Sequence, residues 1–214
     1  MTGAVYREPA LLIKSVTSVD ILSGGRANLG IGAAWFEREA HALGLPFPPL
    51  KERFERLEEL LQIAHRMWAG DRSPYHGAHY QLEEPINSPL PLSRPHPPIL
   101  IGGSGEQKTL RLVAQYGDAC NFFVNDGPEK IWDKLNVLLR HCEDVGRDYS
   151  AIERTALANQ VRVHEPGAAQ EIVAVCRELA KIGIQHVIFS VDGVHEPHRL
   201  DAFKREIIPA LAEL

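Results

Sequence analysis

The sequence predicts an α/β fold built on a parallel sheet, and three observations predict it. Short apolar runs alternate with longer stretches whose apolar residues recur at i, i+3 and i+4, the signatures of strand and helix. Glycines cluster directly after two of the apolar runs, where a strand has to turn into the next segment. With 214 residues, 44% of them hydrophobic, the chain fits one core and one domain spanning 1–214.

Each element follows in order. A strand is predicted over residues 2–6 and a helix over 9–22, with Leu11, Leu12, Val16 and Val19 as its apolar positions. A strand over 27–32 comes next, then a helix over 50–69 carrying Phe54, Leu57, Leu61, Ala64 and Trp68 on one stripe. Residues 70–98 form an irregular excursion, punctuated by Pro74, Pro85, Pro89, Pro91 and Pro95 before Pro97 and Pro98. It reads as a long surface loop with a small hairpin around His79–Leu82, expected to cover the mouth at the C-terminal side of the sheet. A strand over 98–101 ends at Gly102-Gly103, and a helix over 106–116 follows with Leu110, Val113 and Ala114 on one face. The strand 119–123 precedes a helix over 129–145 with Ile131, Leu135, Leu138, Leu139 and Cys142 at helical spacing. A strand near 155–163 leads to an amphipathic helix at 168–182, which Gly183 terminates. The strand 184–191 and a closing helix over 198–213 complete the chain. Six strands fit either an open doubly wound sheet or a barrel short of two units, and the count does not choose between them.

Composition removes several function classes. The formal net charge is −5 and the basic residues are dispersed, so no field draws in nucleic acid. No apolar run approaches the roughly 18 residues that would span a bilayer. The N-terminal MTGAVYREP lacks the charged and apolar regions of a signal peptide, and the expected setting is soluble and cytoplasmic. Cys120, Cys142 and Cys176 are odd in number, widely spaced and without a CxxC pair, which reads as buried reduced thiols.

Chemistry can reside at the two glycine clusters. The first, Gly30-Ile31-Gly32-Ala33-Ala34-Trp35, opens like a dinucleotide fingerprint but has Trp at the third glycine position, so that motif fails. The second, Gly102-Gly103-Ser104-Gly105, lies between a strand and a predicted helix start at Glu106. Backbone amides at such a helix start cradle phosphate, and barrels commonly bind one at their C-terminal face in this way. The alternative is a tight turn that only requires positive φ. His76 and His79 have no Cys or carboxylate at ligand spacing, and His195-Glu196-Pro197-His198 is not HExxH, so no metal site is expected. Trp35, Phe122 and Phe123 fall at strand C-terminal ends, where an aromatic side chain can wall a substrate pocket as well as fill a core.

Several linked motifs resemble one family. Ser23-Gly24-Gly25-Arg26, Leu29 to Glu37 (LGIGAAWFE), Gly44 to Pro48 (GLPFP) and Arg53 to Glu58 (RFERLE) are among them. Met67 to Gly70 (MWAG), His96 to Gly103 (HPPILIGG), Gly117-Asp118 and Gly183-Ile184 continue the series. Together they resemble the luciferase-like monooxygenase superfamily, and within it the F420-dependent oxidoreductase branch, over essentially the whole chain. The resemblance implies a (β/α)8 barrel binding F420, or alternatively FMN, at its C-terminal mouth. It places Gly30, Gly32, Ala33 and Ala34 beside the cofactor ring and Gly102, Gly103, Ser104 and Gly105 on its phosphate. Tyr6-Arg7-Glu8-Pro9 is similar to the family's segment after the third strand, so this chain is expected to lack two N-terminal β/α units. The implied activity is hydride transfer between the cofactor and a small organic substrate. The alternatives are an FMN-dependent monooxygenase and a non-catalytic cofactor-binding partial barrel. A six-stranded sheet would leave edges near Val5 and Val187–Phe189, apolar runs that a homodimer or larger homo-oligomer would cover.

Overall fold

The computed structural model describes residues 1–161, 163 and 165–212. Six strands, Thr2–Gly3, Leu29–Gly32, Ile99–Ile101, Ala119–Phe123, Glu153–Val161 and His186–Val191, form one sheet in that order, and the pairings described along it are parallel. That sheet is the one the alternation of periods predicts. The chain divides into two compact units, Met1–Ala119 and Cys120–Leu214.

In the first unit, β1 is only Thr2–Gly3, because Ala4–Tyr6 coil into a 3-10 turn where the sequence predicts continued strand. Helix α1 (Pro9–Ser23) has its proline at the start, where the missing amide costs nothing, and ends on Gly24 in the left-handed conformation. Strand β2 (Leu29–Gly32) follows, then the short helix α2 (Glu37–Ala42), which has too few turns to leave a periodic signal in the sequence. Helix α3 (Leu50–Trp68) buries Leu57, Leu60, Leu61, Ala64, Met67 and Trp68 along one face. A two-stranded antiparallel hairpin, β3 (Tyr75–His76) and β4 (Gln81–Leu82), lies inside the excursion. The unit ends with β5 (Ile99–Ile101) and α4 (Thr109–Tyr116). Helix α4 therefore starts three residues later than the sequence predicts, after a turn over Glu106–Lys108, and the Leu110 amide reaches back to the Gly105 carbonyl at 3.0 Å.

The excursion does not cover the mouth. Helices that follow parallel strands return the chain to the strands' N-terminal ends, so a segment joining α3 to β5 begins and ends on that side. Its anchors agree. The Glu59 carboxylate on α3 accepts from the amides of Ala78, His79 and Tyr80 at 2.7–3.2 Å. Lys14 of α1 donates to the Ile86 carbonyl at 3.2 Å. Asp20, at the end of α1, accepts from the amides of Leu92 (2.7 Å) and Ser93 (2.9 Å) and from the Ser93 hydroxyl (2.6 Å).

The second unit carries β6 (Ala119–Phe123), α5 (Pro128–Val145), β7 (Glu153–Val161), α6 (Ala168–Lys181) and β8 (His186–Val191). Gly183 follows α6 at φ 91°, as a terminating glycine does. No residue of β8 is fully buried, although its sequence reads as a buried strand. The closing segment is not one helix: a 3-10 turn (Pro197–Leu200) and a π-helical turn (Phe203–Ile207) precede α7 (Ile208–Leu211). Pro209 has no amide for the α-helical ladder, and the Ile208 amide bonds Phe203 five residues back. The last predicted residue of that helix, 213, lies outside the described residues, as does residue 162 of the predicted strand 155–163.

Candidate functional site

In the first unit, side chains alternate across β2 and β5. Leu29, Ile31, Ile99 and Ile101 are buried, and Ile101 reaches the end of α4 at Gly117. Gly30, Gly32, Leu100 and Gly102 occupy the opposite face, Gly30 in register with Leu100. Neighbouring atoms approach these glycines closely. A Cβ on Gly32 would stand 3.3 Å from the Gly102 carbonyl oxygen, one on Gly30 would stand 3.3 Å from Met1 Cα, and one on Gly102 would collide with the Met1 sulfur. The Gly102 amide donates to the Ile31 carbonyl at 2.7 Å, so the strip is continuous across the two strands. The Met1 side chain lies on this strip, so a flat ring set against the glycines would have to displace it.

Beyond β5 the chain turns at Gly103, whose φ of 102° excludes an ordinary side chain. Thr109, the first residue of α4, is only 4% exposed. Its hydroxyl stands 3.6 Å from where a Cβ on Gly103 would be and 3.3 Å from the equivalent point on Gly105. Among the described residues that hydroxyl has no hydrogen-bond partner within the chain, and its oxygen is not fully shielded from solvent. A glycine turn, a helix start and a hydroxyl facing the turn together leave room for a phosphate group. Ser104 is half-buried within the same turn. Sequence reasoning missed Thr109 because the helix was expected at Glu106, which would place the threonine inside it. Its signal was a threonine just past a glycine-rich turn, the usual company of a helix start.

After Gly32 the chain bends sharply. Ala33 and Ala34 are half-buried, and Ala34 takes φ 63°. The Ala34 carbonyl accepts a 2.6 Å bond from Arg53 Nη1 on α3. Trp35 is 83% exposed and stacks on Phe36 with ring centres 5.2 Å apart. In the second unit, Phe122 is fully buried and packs as core, while Phe123, its neighbour on the other face of β6, is 40% exposed. Two open hollows of about 440 and 340 Å³ also lie in that unit, against α6. Their linings contain neither Phe122 nor Phe123.

The remaining groups are structural. All three cysteines are free and buried, and burial pushes the Cys120 thiol up to about 12, far from a nucleophile's range. His76 and His79 belong to the hairpin, bonded to Gln81 (3.0 Å) and Glu55 (3.0 Å). Among the described residues no group of His, Cys, Asp or Glu gathers with metal-binding geometry, and no helix is long and apolar enough to cross a membrane.

A parallel-sheet α/β chain with a glycine-lined strand face and a phosphate-type turn at a helix start is the class that fold and site define. The chain belongs to the luciferase-like monooxygenase family, whose model matches residues 2–206. The F420-dependent glucose-6-phosphate dehydrogenase of Nakamurella multipartita is 30% identical over 263 residues, covering 100% of this chain and 76% of that protein. The FMNH2-dependent dimethylsulfone monooxygenase of Pseudomonas putida is 36% identical over 96 residues, 45% of this chain. The chain spans only 26% of that monooxygenase. Among solved structures, an F420-dependent secondary alcohol dehydrogenase in complex with an F420-acetone adduct superimposes with TM-score 0.80, over 95% of this chain and 75% of that one. At 18% identity the likeness is one of fold.

Proposed function

We propose that this chain is an oxidoreductase that moves a hydride between F420 and a small organic substrate. The observation that carries the reading is the Gly102–Gly105 turn at the start of α4 with the Thr109 hydroxyl facing it. Gly102, Gly103, Ser104, Gly105 and Thr109 would hold the cofactor phosphate, through backbone amides and the hydroxyl. Gly30, Gly32, Ala33 and Ala34 would flank the ring, and their small side chains would let it lie flat. Trp35 would supply an apolar wall beside the ring. The cofactor, when bound, supplies the hydride chemistry, and the protein contributes binding, orientation and water exclusion. The proposed setting is the cytoplasm, where three buried thiols stay reduced, and the proposed assembly is a homodimer or larger homo-oligomer.

A second reading is an FMN-dependent monooxygenase, supported by the 36% identity to the dimethylsulfone enzyme. Titration with F420 and with FMN, followed optically, then assayed for hydride transfer and for oxygen consumption, separates the two. Saturable F420 binding with substrate-dependent oxidation or reduction of the deazaflavin supports the first. FMN binding with oxygen uptake supports the second. A folded chain that binds neither overturns both.

A further inference from the structure

The bend after β2 shows backbone strain held by one side chain. Ala34 has φ 63°, a left-handed conformation that an L-residue with a Cβ rarely adopts. Strained backbone persists only where its surroundings over-determine it, and such positions concentrate at functional sites. Two features hold this one. Gly3, paired with Gly32 across β1 and β2, leaves open the space that the Ala34 methyl occupies: a Cβ on Gly3 would stand 2.8 Å from Ala34 Cβ. Arg53 then donates from Nη1 to the Ala34 carbonyl at 2.6 Å.

Arg53 is committed to this task. Its guanidinium lies over the Phe47 ring at 4.1 Å, and its Nε is buried without a hydrogen-bond partner. A half-buried cation with a main-chain acceptor forms a bond of the charge-assisted kind, stronger than a neutral one. Resting on the cofactor reading above, we propose that Arg53 is a positioning residue. It holds Ala34 in the left-handed bend and thereby sets where Ala33–Phe36 stand against the Gly30–Gly32 strip. It touches neither cofactor nor substrate. If the bend relaxed to extended backbone, β2 would run on past Gly32 and carry Trp35 and Phe36 away from the end of the strip.

The test compares the native chain with Arg53→Ala, Arg53→Lys, Ala34→Gly and the double variant Arg53→Ala/Ala34→Gly, all checked for cooperative melting. Hydrogen exchange of the peptide spanning residues 30–36 is read first, without cofactor. Arg53→Ala should speed exchange there on the order of tenfold, the scale of one charge-assisted bond, and leave the β7 peptide unchanged. Arg53→Lys should recover part of the protection. In the Ala34→Gly background the same arginine change should have a smaller effect, because glycine adopts the bend without strain. F420 and FMN binding is read second, with the circular dichroism of the bound ring as the signature of its seating. Arg53→Ala should weaken binding about tenfold and alter that signal. Unchanged exchange at 30–36 overturns the proposal, and so does loosened exchange with native affinity and dichroism. If the native chain binds neither cofactor, the functional reading fails and the positioning role falls with it; the exchange data then show whether the arginine clamp itself was real. Should Arg53→Ala not fold, Arg53→Lys and Ala34→Gly give the same comparison.

Discussion

At Thr109 a residue only 4% exposed sets its hydroxyl against a turn with three glycines in four residues, and among the described residues that hydroxyl makes no hydrogen bond within the chain. A hydroxyl in that position can donate to or accept from a group seated at the turn. Two substitutions follow. Thr109→Val keeps the shape and removes the hydroxyl, so the melting temperature should hold or rise while cofactor affinity falls roughly tenfold. Gly103→Val adds a Cβ at φ 102° and obstructs the phosphate's approach, so affinity should fall by more and stability should fall as well. Calorimetric melting and optical titration on the same samples check both. A Thr109→Val protein that binds with native affinity removes the threonine from the site, and native affinity in folded Gly103→Val removes the turn.

Among the elements, the excursion over residues 70–98 is anchored by Glu59, by Lys14 and by the buried charge of Asp20. Asp20 is fully buried; that desolvation raises its pKa, but the hydrogen bonds from the Ser93 hydroxyl and from the amides of Ser93, Leu92 and Ala27 outweigh it, and the net shift is downward. A carboxyl lowered in the folded state contributes stability above its unfolded value of 3.8 and loses it as the pH falls through the folded value. Asp20→Asn should therefore cost about 1–3 kcal/mol at pH 7 and should flatten the acid limb of the stability curve below pH 4. Urea titrations from pH 7 down to pH 3 measure it, and an Asn variant as stable as the native chain at pH 7 would show that the anchor carries nothing. Helix α4 and the closing segment teach a related point. Both predicted helices lie where periodicity put them, yet α4 starts late at Thr109, and the final one breaks into 3-10, π and α turns around Pro209. Periodicity senses which face is apolar, not how the backbone amides are paired.

For the whole molecule, the sheet's end strands decide behaviour in solution. β1 and β8 each have one neighbour, and Ile188 of β8 is 38% exposed. A bare edge carrying apolar side chains invites pairing, so light scattering at micromolar concentration should report a dimer or larger species. A monomer that melts cooperatively would overturn that expectation. The sequence by itself determined the parallel α/β class, the order of the six strands along the chain, both glycine clusters and the family resemblance. Those features are local: a period, a turn residue or a motif is written in neighbouring positions. Only the tertiary structure decided that the excursion runs along α1 and α3, because Asp20 and Ser93 are 73 residues apart in the chain and meet only after folding. It alone showed Phe122 buried beside an exposed Phe123, since sheet register decides which face a residue takes. Thr109 and Arg53 also became visible only in three dimensions, for their meaning lies in an unfilled hydrogen bond and a strained turn, and neither property belongs to a residue before the chain is folded around it.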